Sequence, residues 1–175
     1  MNLLEEKSET CPSCEFQENL NILREIYFFS TLPMDSLKVL AYLCAREIYK
    51  PGDYLFRQGE DDGRAIYIVS GTAKLIHERE DEDLTIRDYS EGDYLGGLVL
   101  VGNMRRLFSL KAETDMNCLI LTREKFSKAM EQFPDSVSKI FKAVVDSIQS
   151  WEERFLMDQG KECEKCLQKV GVSLV

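Results

Sequence analysis

A chain of 175 residues, 44% hydrophobic and 30% charged, is long enough to bury a full core and has the make-up of one globular domain. Its formal net charge of -9 argues against nonspecific attraction to nucleic acid, which needs clustered Lys and Arg. No run approaches the roughly 18 apolar residues of a membrane span, and the acidic start MNLLEEKSET is unlike a signal peptide, so a cytoplasmic location is expected.

Residues 1–14 form a polar lead-in with Pro12 between Cys11 and Cys14. Over residues 15–29, Phe16, Leu20, Leu23 and Tyr27 step by four, three and four, the spacing of one helix face. A second helix is predicted from about Pro33, with Leu37, Leu40, Ala41 and Cys44 on its apolar side and Cys44 in the core. From residue 46 the pattern changes to short apolar runs broken by glycine turns, which is an all-β signature and suggests a small barrel or jelly roll through residue 122. Residues 123–133 return to helical spacing with Phe126, Ala129, Met130 and Phe133. Beyond Pro134, the series Val137, Phe141, Val144, Ile148, Trp151, Phe155 predicts a long helix with a narrow apolar seam. That seam packs either on its own roll or against a partner or second copy; Trp151 is read as core or seam. The predicted division is a lead-in (1–14), a domain (15–160: helices 15–45, β-roll 46–122, C-terminal helices 123–160) and a tail (161–175).

Chemistry concentrates in residues 92–113, GDYLGGLVLVGNMRRLFSLKAE. If residues 106–112 are a strand, Arg106 shares a face with Phe108, Leu110 and Ala112 and points inward, while Arg105 meets solvent. An inward guanidinium needs a partner, because an unpaired buried charge costs several kcal/mol or more. A bound phosphate or carboxylate would serve. So would an internal acid, for which Asp93 and Glu91 are candidates.

The segment resembles the phosphate-binding cassette of the cyclic-nucleotide-binding domain family, of the catabolite activator (Crp/Fnr) type. Arg106, Ser109, Leu110 and Ala112 fall on its Arg-x-x-Ser/Thr-Val-x-Ala strand. Pro51-Gly52-Asp53, Phe56-Arg57-Gln58-Gly59, Tyr67 through Gly71, and Gly92 through Gly96 match its other turns and strands. The resemblance implies an eight-stranded double-stranded β-helix jelly roll, N-terminal helices and a long C-terminal helix. It also implies a ligand phosphate held by Arg106, with Gly96, Gly97, Leu98, Val99 and Ser109 around it. Two positions depart from the pattern. Glycine stands at 97, where the family places its ribose-binding glutamate, and the bulky Leu107 follows the arginine. Losing a hydrogen bond to a charged acceptor costs about 1.5–3 kcal/mol, or about one to two decades in affinity. Three readings of the pocket stand: weakened binding of cyclic AMP or cyclic GMP, binding of another small anion, and a vestigial pocket on an interaction module. The family's transcription factors continue into a helix-turn-helix domain, for which too few residues remain here, so DNA binding by this chain alone is not expected.

Cys11-x-x-Cys14 and Cys163-x-x-Cys166 each have the spacing of half a tetrahedral zinc site. A metal clamp shared by all four cysteines, redox-active thiols and inert thiols all fit. Cys44 and Cys118 read as small buried hydrophobes, His77 as surface, and residues 60–62 and 78–83 as solvated acidic turns. No nucleophile or acid-base motif stands out, so a regulatory sensor is expected and an enzyme is not.

Overall fold

The computed structural model describes residues 12–159. Three helices come first: α1 (Pro12–Glu25), α2 (Tyr27–Ser30) and α3 (Met34–Leu43). Eight strands follow: β1 (Ala45–Tyr49), β2 (Tyr54–Phe56), β3 (Arg64–Ser70), β4 (Thr72–His77), β5 (Leu84–Ser90), β6 (Tyr94–Leu95), β7 (Ser109–Ala112) and β8 (Met116–Thr122). A short 3-10 turn (Gly97–Leu100) lies between β6 and β7, and α4 (Arg123–Gln132) and α5 (Pro134–Gln159) close the order. The strands pair antiparallel in two four-stranded sheets, β1-β8-β3-β6 and β2-β7-β4-β5. This is the predicted jelly roll with flanking helices.

Alternation buries both faces of the first sheet. On β8, Met116, Cys118 and Ile120 join Ile66, Ile68, Leu110 and Phe56 inside the roll. Leu119 and Leu121, one residue out of phase, pack with Leu23, Phe29, Leu40 and Phe126 beneath the helices. Thr122 ends β8 and caps α4, its hydroxyl accepting from the Lys125 N–H at 3.4 Å. The Lys125 ammonium donates to the Leu43 carbonyl at 2.8 Å and ties α4 to the end of α3.

Two helices differ from expectation. A single helix over residues 15–29 would bury Tyr27 beside Leu23. Instead Ile26 is extended (φ -71°, ψ 117°) between α1 and α2, which leaves Tyr27 outside and buries Phe28 and Phe29. Burying each such side chain contributes about 1.5–3 kcal/mol, enough to favour the break over a continuous helix. In α5, the stripe that packs on the protein is Ser136, Ile140 and Ala143, while Val137, Phe141 and Trp151 of the expected seam are exposed. Small residues let the helix approach closely: Ser36 and Ser136 share a buried hydrogen bond of 2.9 Å. The Tyr27 hydroxyl donates to Asp146 at 2.8 Å and fastens α2 to α5. Packing of the seam on its own roll therefore fails for these three residues.

The two faces of α5 should separate in urea denaturation. Ile140→Ala, at a position 4% exposed, should lower stability by about 2–5 kcal/mol. Phe141→Ala, at one 67% exposed, should stay within about 0.5 kcal/mol.

Candidate functional site

Arg106 lies just ahead of β7, which begins at Ser109 and not at residue 106 as the alternation suggests. Its backbone is nevertheless held, because its N–H donates to the Glu60 carbonyl at 2.7 Å and its carbonyl accepts from Gly59 N–H at 2.8 Å. The side chain points inward as predicted. Its internal partner is Asp62, neither Asp93 nor Glu91. Nε donates to Asp62 Oδ1 at 2.9 Å and Nη2 to Oδ2 at 3.1 Å, a bidentate pair in which the two side chains are 8% and 13% exposed. Asp93 is used elsewhere, accepting from the Ser90 N–H in its own turn at 2.8 Å, and Glu91 is exposed. Nη2 also donates to the Arg64 carbonyl, and the guanidinium carbon sits 4.0 Å from the Phe56 ring centroid. Residues 60–62 are thus not simply a solvated turn.

The chain opposite Arg106 must be glycine. Gly96 has φ +83°, and a Cβ there would lie 2.8 Å from the Arg64 carbonyl oxygen and 3.0 Å from Arg106 Nη1. Gly97 is confined by space. A Cβ would meet Phe28 Cδ2 at 3.2 Å and both Cε1 and the hydroxyl of Tyr94 at 3.3 Å. The Val99 N–H already donates to the Gly96 carbonyl at 3.2 Å.

Arg106, Gly96, Gly97, Leu98 and Val99 come together on one cavity of about 300 Å³, walled otherwise by Arg105 and by apolar and aromatic residues including Phe56, Leu75, Leu95, Met104 and Phe108. Leu107, expected to crowd the site, also borders it but is largely exposed. Ser109 stands apart: its hydroxyl accepts from Gln58 N–H at 2.8 Å and donates to Glu78. That bond also draws Glu78 out of the expected solvated tip. His77, read as surface, is half-buried and meets Phe108 edge-on with ring centroids 5.6 Å apart.

Sequence reasoning missed Arg123, the first residue of α4. Nε donates to the Val99 carbonyl at 2.6 Å and Nη1 to Asn103 Oδ1 at 2.8 Å, while the guanidinium also pairs with Asp61. That hydrogen bond holds the Asp61 carboxyl below its usual range. Adjacent acids in one turn thus position two arginines, one in the cavity wall and one fastening the 97–103 segment to α4. The three-acid run beside Gly63 was visible in the sequence, but its two partners lie far along the chain.

The sequence profile of the cyclic nucleotide-binding domain matches residues 46–133, which spans the roll, the cassette and α4. The chain belongs to the cyclic nucleotide-binding domain family. It is 28% identical over 141 residues to mouse (Mus musculus) cGMP-dependent protein kinase 2, covering 79% of this chain and 18% of the kinase, so it spans under a fifth of that relative's length. The structure of a cyclic nucleotide-binding-like protein from Brucella abortus aligns with a TM-score of 0.61 at 29% identity, over 65% of this chain and 98% of that one. The N-terminal domain of a Streptomyces coelicolor transcriptional regulator gives a TM-score of 0.68 at 20% identity, over 77% and 95% of the two chains, a likeness of fold.

A cyclic nucleotide fits this site in part. The Arg106 guanidinium suits its phosphate, but at residue 97 the wall offers the Phe28 and Tyr94 rings where a ribose needs a carboxylate. Burial raises the Tyr94 phenol above its ordinary value, so it stays neutral.

Among the described residues no three His, Cys, Asp or Glu side chains stand together as a metal site. Cys14 is exposed and free, and Cys11, Cys163 and Cys166 lie outside the described residues, as does most of the predicted clamp. Cys118 is buried as expected, whereas Cys44, just past the end of α3, is only partly buried against the helical core; burial pushes both thiols up to about 12.

Two measurements test this geometry. Asp62→Ala, which leaves a buried guanidinium unpaired, should cost about 3 kcal/mol in chemical denaturation. Iodoacetamide followed by peptide mapping should label Cys14 within minutes and leave Cys118 unlabelled until denaturant is added.

Proposed function

We propose that this chain is a regulatory ligand-sensing module and not an enzyme. It takes a small anion against Arg106, cyclic AMP or cyclic GMP only weakly, and passes the change to its C-terminal helices. The observation that carries the reading is a nearly buried guanidinium on the wall of a mostly apolar cavity that Arg105 also borders. Apolar walls lower the local dielectric, so an ion pair formed against them is stronger than one on a flat polar surface. The backbone of the Gly96, Gly97, Leu98 and Val99 turn flanks the ligand, and the wall lacks the carboxylate that would fix a ribose.

A route from cavity to output is built from named contacts. Tyr94 and Gly97 touch Phe28, which packs with ring centroids 6.4 Å from both Tyr94 and Phe126. Arg123 grips the Val99 carbonyl from the start of α4. A ligand that pulls the 97–103 turn inward therefore moves α2 and α4 together, and α5 follows through Tyr27 and Asp146. Only a difference in affinity between two arrangements makes this a switch. The receiving surface is the exposed face of α5 with Val137, Phe141 and Val145, which suits a protein partner or a second copy.

A second reading is favoured by the same ion pair. Asp62 satisfies Arg106 without any ligand, as an interaction module with a vestigial pocket would require, its ends held by a four-cysteine zinc site or by thiols.

Thermal denaturation with cyclic AMP, cyclic GMP, mononucleotides and organic acids at millimolar concentration separates the readings. The sensor reading expects at least one anion to raise the melting temperature, since a ligand at about 100 times its Kd adds about 2.7 kcal/mol of stability. Arg106→Lys should remove most of that shift. No shift from any anion would leave the interaction module.

A further inference from the structure

The reading above leaves the ligand's chemistry open, and the cavity wall narrows it. We propose that the site takes a compact hydrophobic monoanion without a sugar hydroxyl, an aryl carboxylate of bicyclic size; this rests on the proposed anion site at Arg106.

Three observations carry it. The first is the filled corner at Gly97. The route a glutamate side chain would follow is occupied by the Phe28 ring and by Tyr94, so a Cβ at 97 already meets them at 3.2 and 3.3 Å. Aromatic packing, and not a carboxylate, therefore occupies this corner. The polar atom within it, the Tyr94 hydroxyl, is neutral, enclosed and without a hydrogen-bond partner among the described residues. A ribose hydroxyl placed there would give up water for no charged acceptor.

The second is charge. Arg105 and Arg106 border the cavity, no Asp or Glu among the described residues does, and Asp62 neutralises one guanidinium from behind. One positive charge is left in balance, which matches a single negative charge better than a dianion. The bidentate grip of Asp62 takes Nε and Nη2, leaving Nη1 on the Gly96 side as the donor for the guest.

The third is the rest of the wall. Phe56, Leu75, Leu95, Val99, Met104 and Phe108 present apolar and sulfur surface to a space of about 300 Å³. A planar apolar body fills such a space and recovers the transfer free energy of its own buried surface.

Isothermal titration of the full chain with four probes tests the proposal: 2-naphthoate, its neutral analogue 2-naphthalenemethanol, cyclic AMP and 2′-deoxy cyclic AMP. The expected result is 2-naphthoate binding at least about tenfold more tightly than either the alcohol or cyclic AMP, with cyclic AMP and its 2′-deoxy form within about twofold of each other. The alcohol tests the charge while leaving every side chain of the fold in place. If cyclic AMP binds more tightly than 2-naphthoate and loses about tenfold or more on removal of the 2′-hydroxyl, the proposal is overturned while the anion-sensing reading stands. The proposal is equally overturned if the alcohol binds as well as the acid. If none of the four binds, the proposal is overturned, and the anion-sensing reading falls with it only when the wider panel of anions also leaves the melting temperature unmoved.

Discussion

The bidentate pair between Arg106 and Asp62 fixes more of this protein than any other single contact. A guanidinium almost out of water is tolerable only because a carboxylate behind it takes two of its donors and the Arg64 carbonyl takes another share. That arrangement dictates its surroundings. The 57–62 turn must return to within hydrogen-bonding distance of residue 106, and residue 96 must be glycine because its backbone runs against the guanidinium. β7 starts only after this irregular stretch has delivered the side chain inward.

The pair also sets what the cavity can do. An arginine held from behind is pre-organised: it costs little further side-chain entropy to meet a guest, and it does not collapse onto the wall when no guest is present. Because Asp62 offsets the Arg106 charge, the charge left on the cavity wall is that of Arg105. The family's usual sugar contact is replaced by aromatic packing around Gly97, and Phe28 there belongs to α2. One ring therefore touches both the cavity wall and the helical layer, while Arg123 holds the other side of the same turn to α4.

Much of this was legible in the sequence, for physical reasons. Glycine turns at regular intervals and alternating runs mark the strands, and the resemblance supplied their order. The inward direction of Arg106 agrees with the parity read from the sequence, although the strand that this parity assumed begins only at Ser109 and the direction is set by the irregular stretch before it. The partner of Arg106 was hidden, because Asp62 lies 44 residues earlier and meets it only through the fold, whereas Asp93 and Glu91 were merely close in sequence. The buried face of α5 was ambiguous since two stripes interleave on that helix, and the small residues Ser136 and Ala143 prevail by allowing close approach, a property hydrophobic spacing does not report. The break at Ile26 was hidden for a similar reason: Phe28 and Phe29 outweigh Tyr27 only once Tyr94 and Phe126 are present to receive them. Ser109 fits the cassette pattern by type, yet its hydroxyl is committed to Gln58 and Glu78.

The central claim is that the Arg106 guanidinium is the point at which a small anion enters the fold, and NMR of the arginine Nε–Hε groups reports on it directly. With the Arg106 signal assigned from the spectrum of Arg106→Lys, titration with 2-naphthoate or cyclic AMP should displace that signal while the signal of Arg46, on strand β1 of the other sheet with its Nε held by Asn19, holds still. An Arg106 resonance that stays in place at saturating concentrations of both would contradict the account.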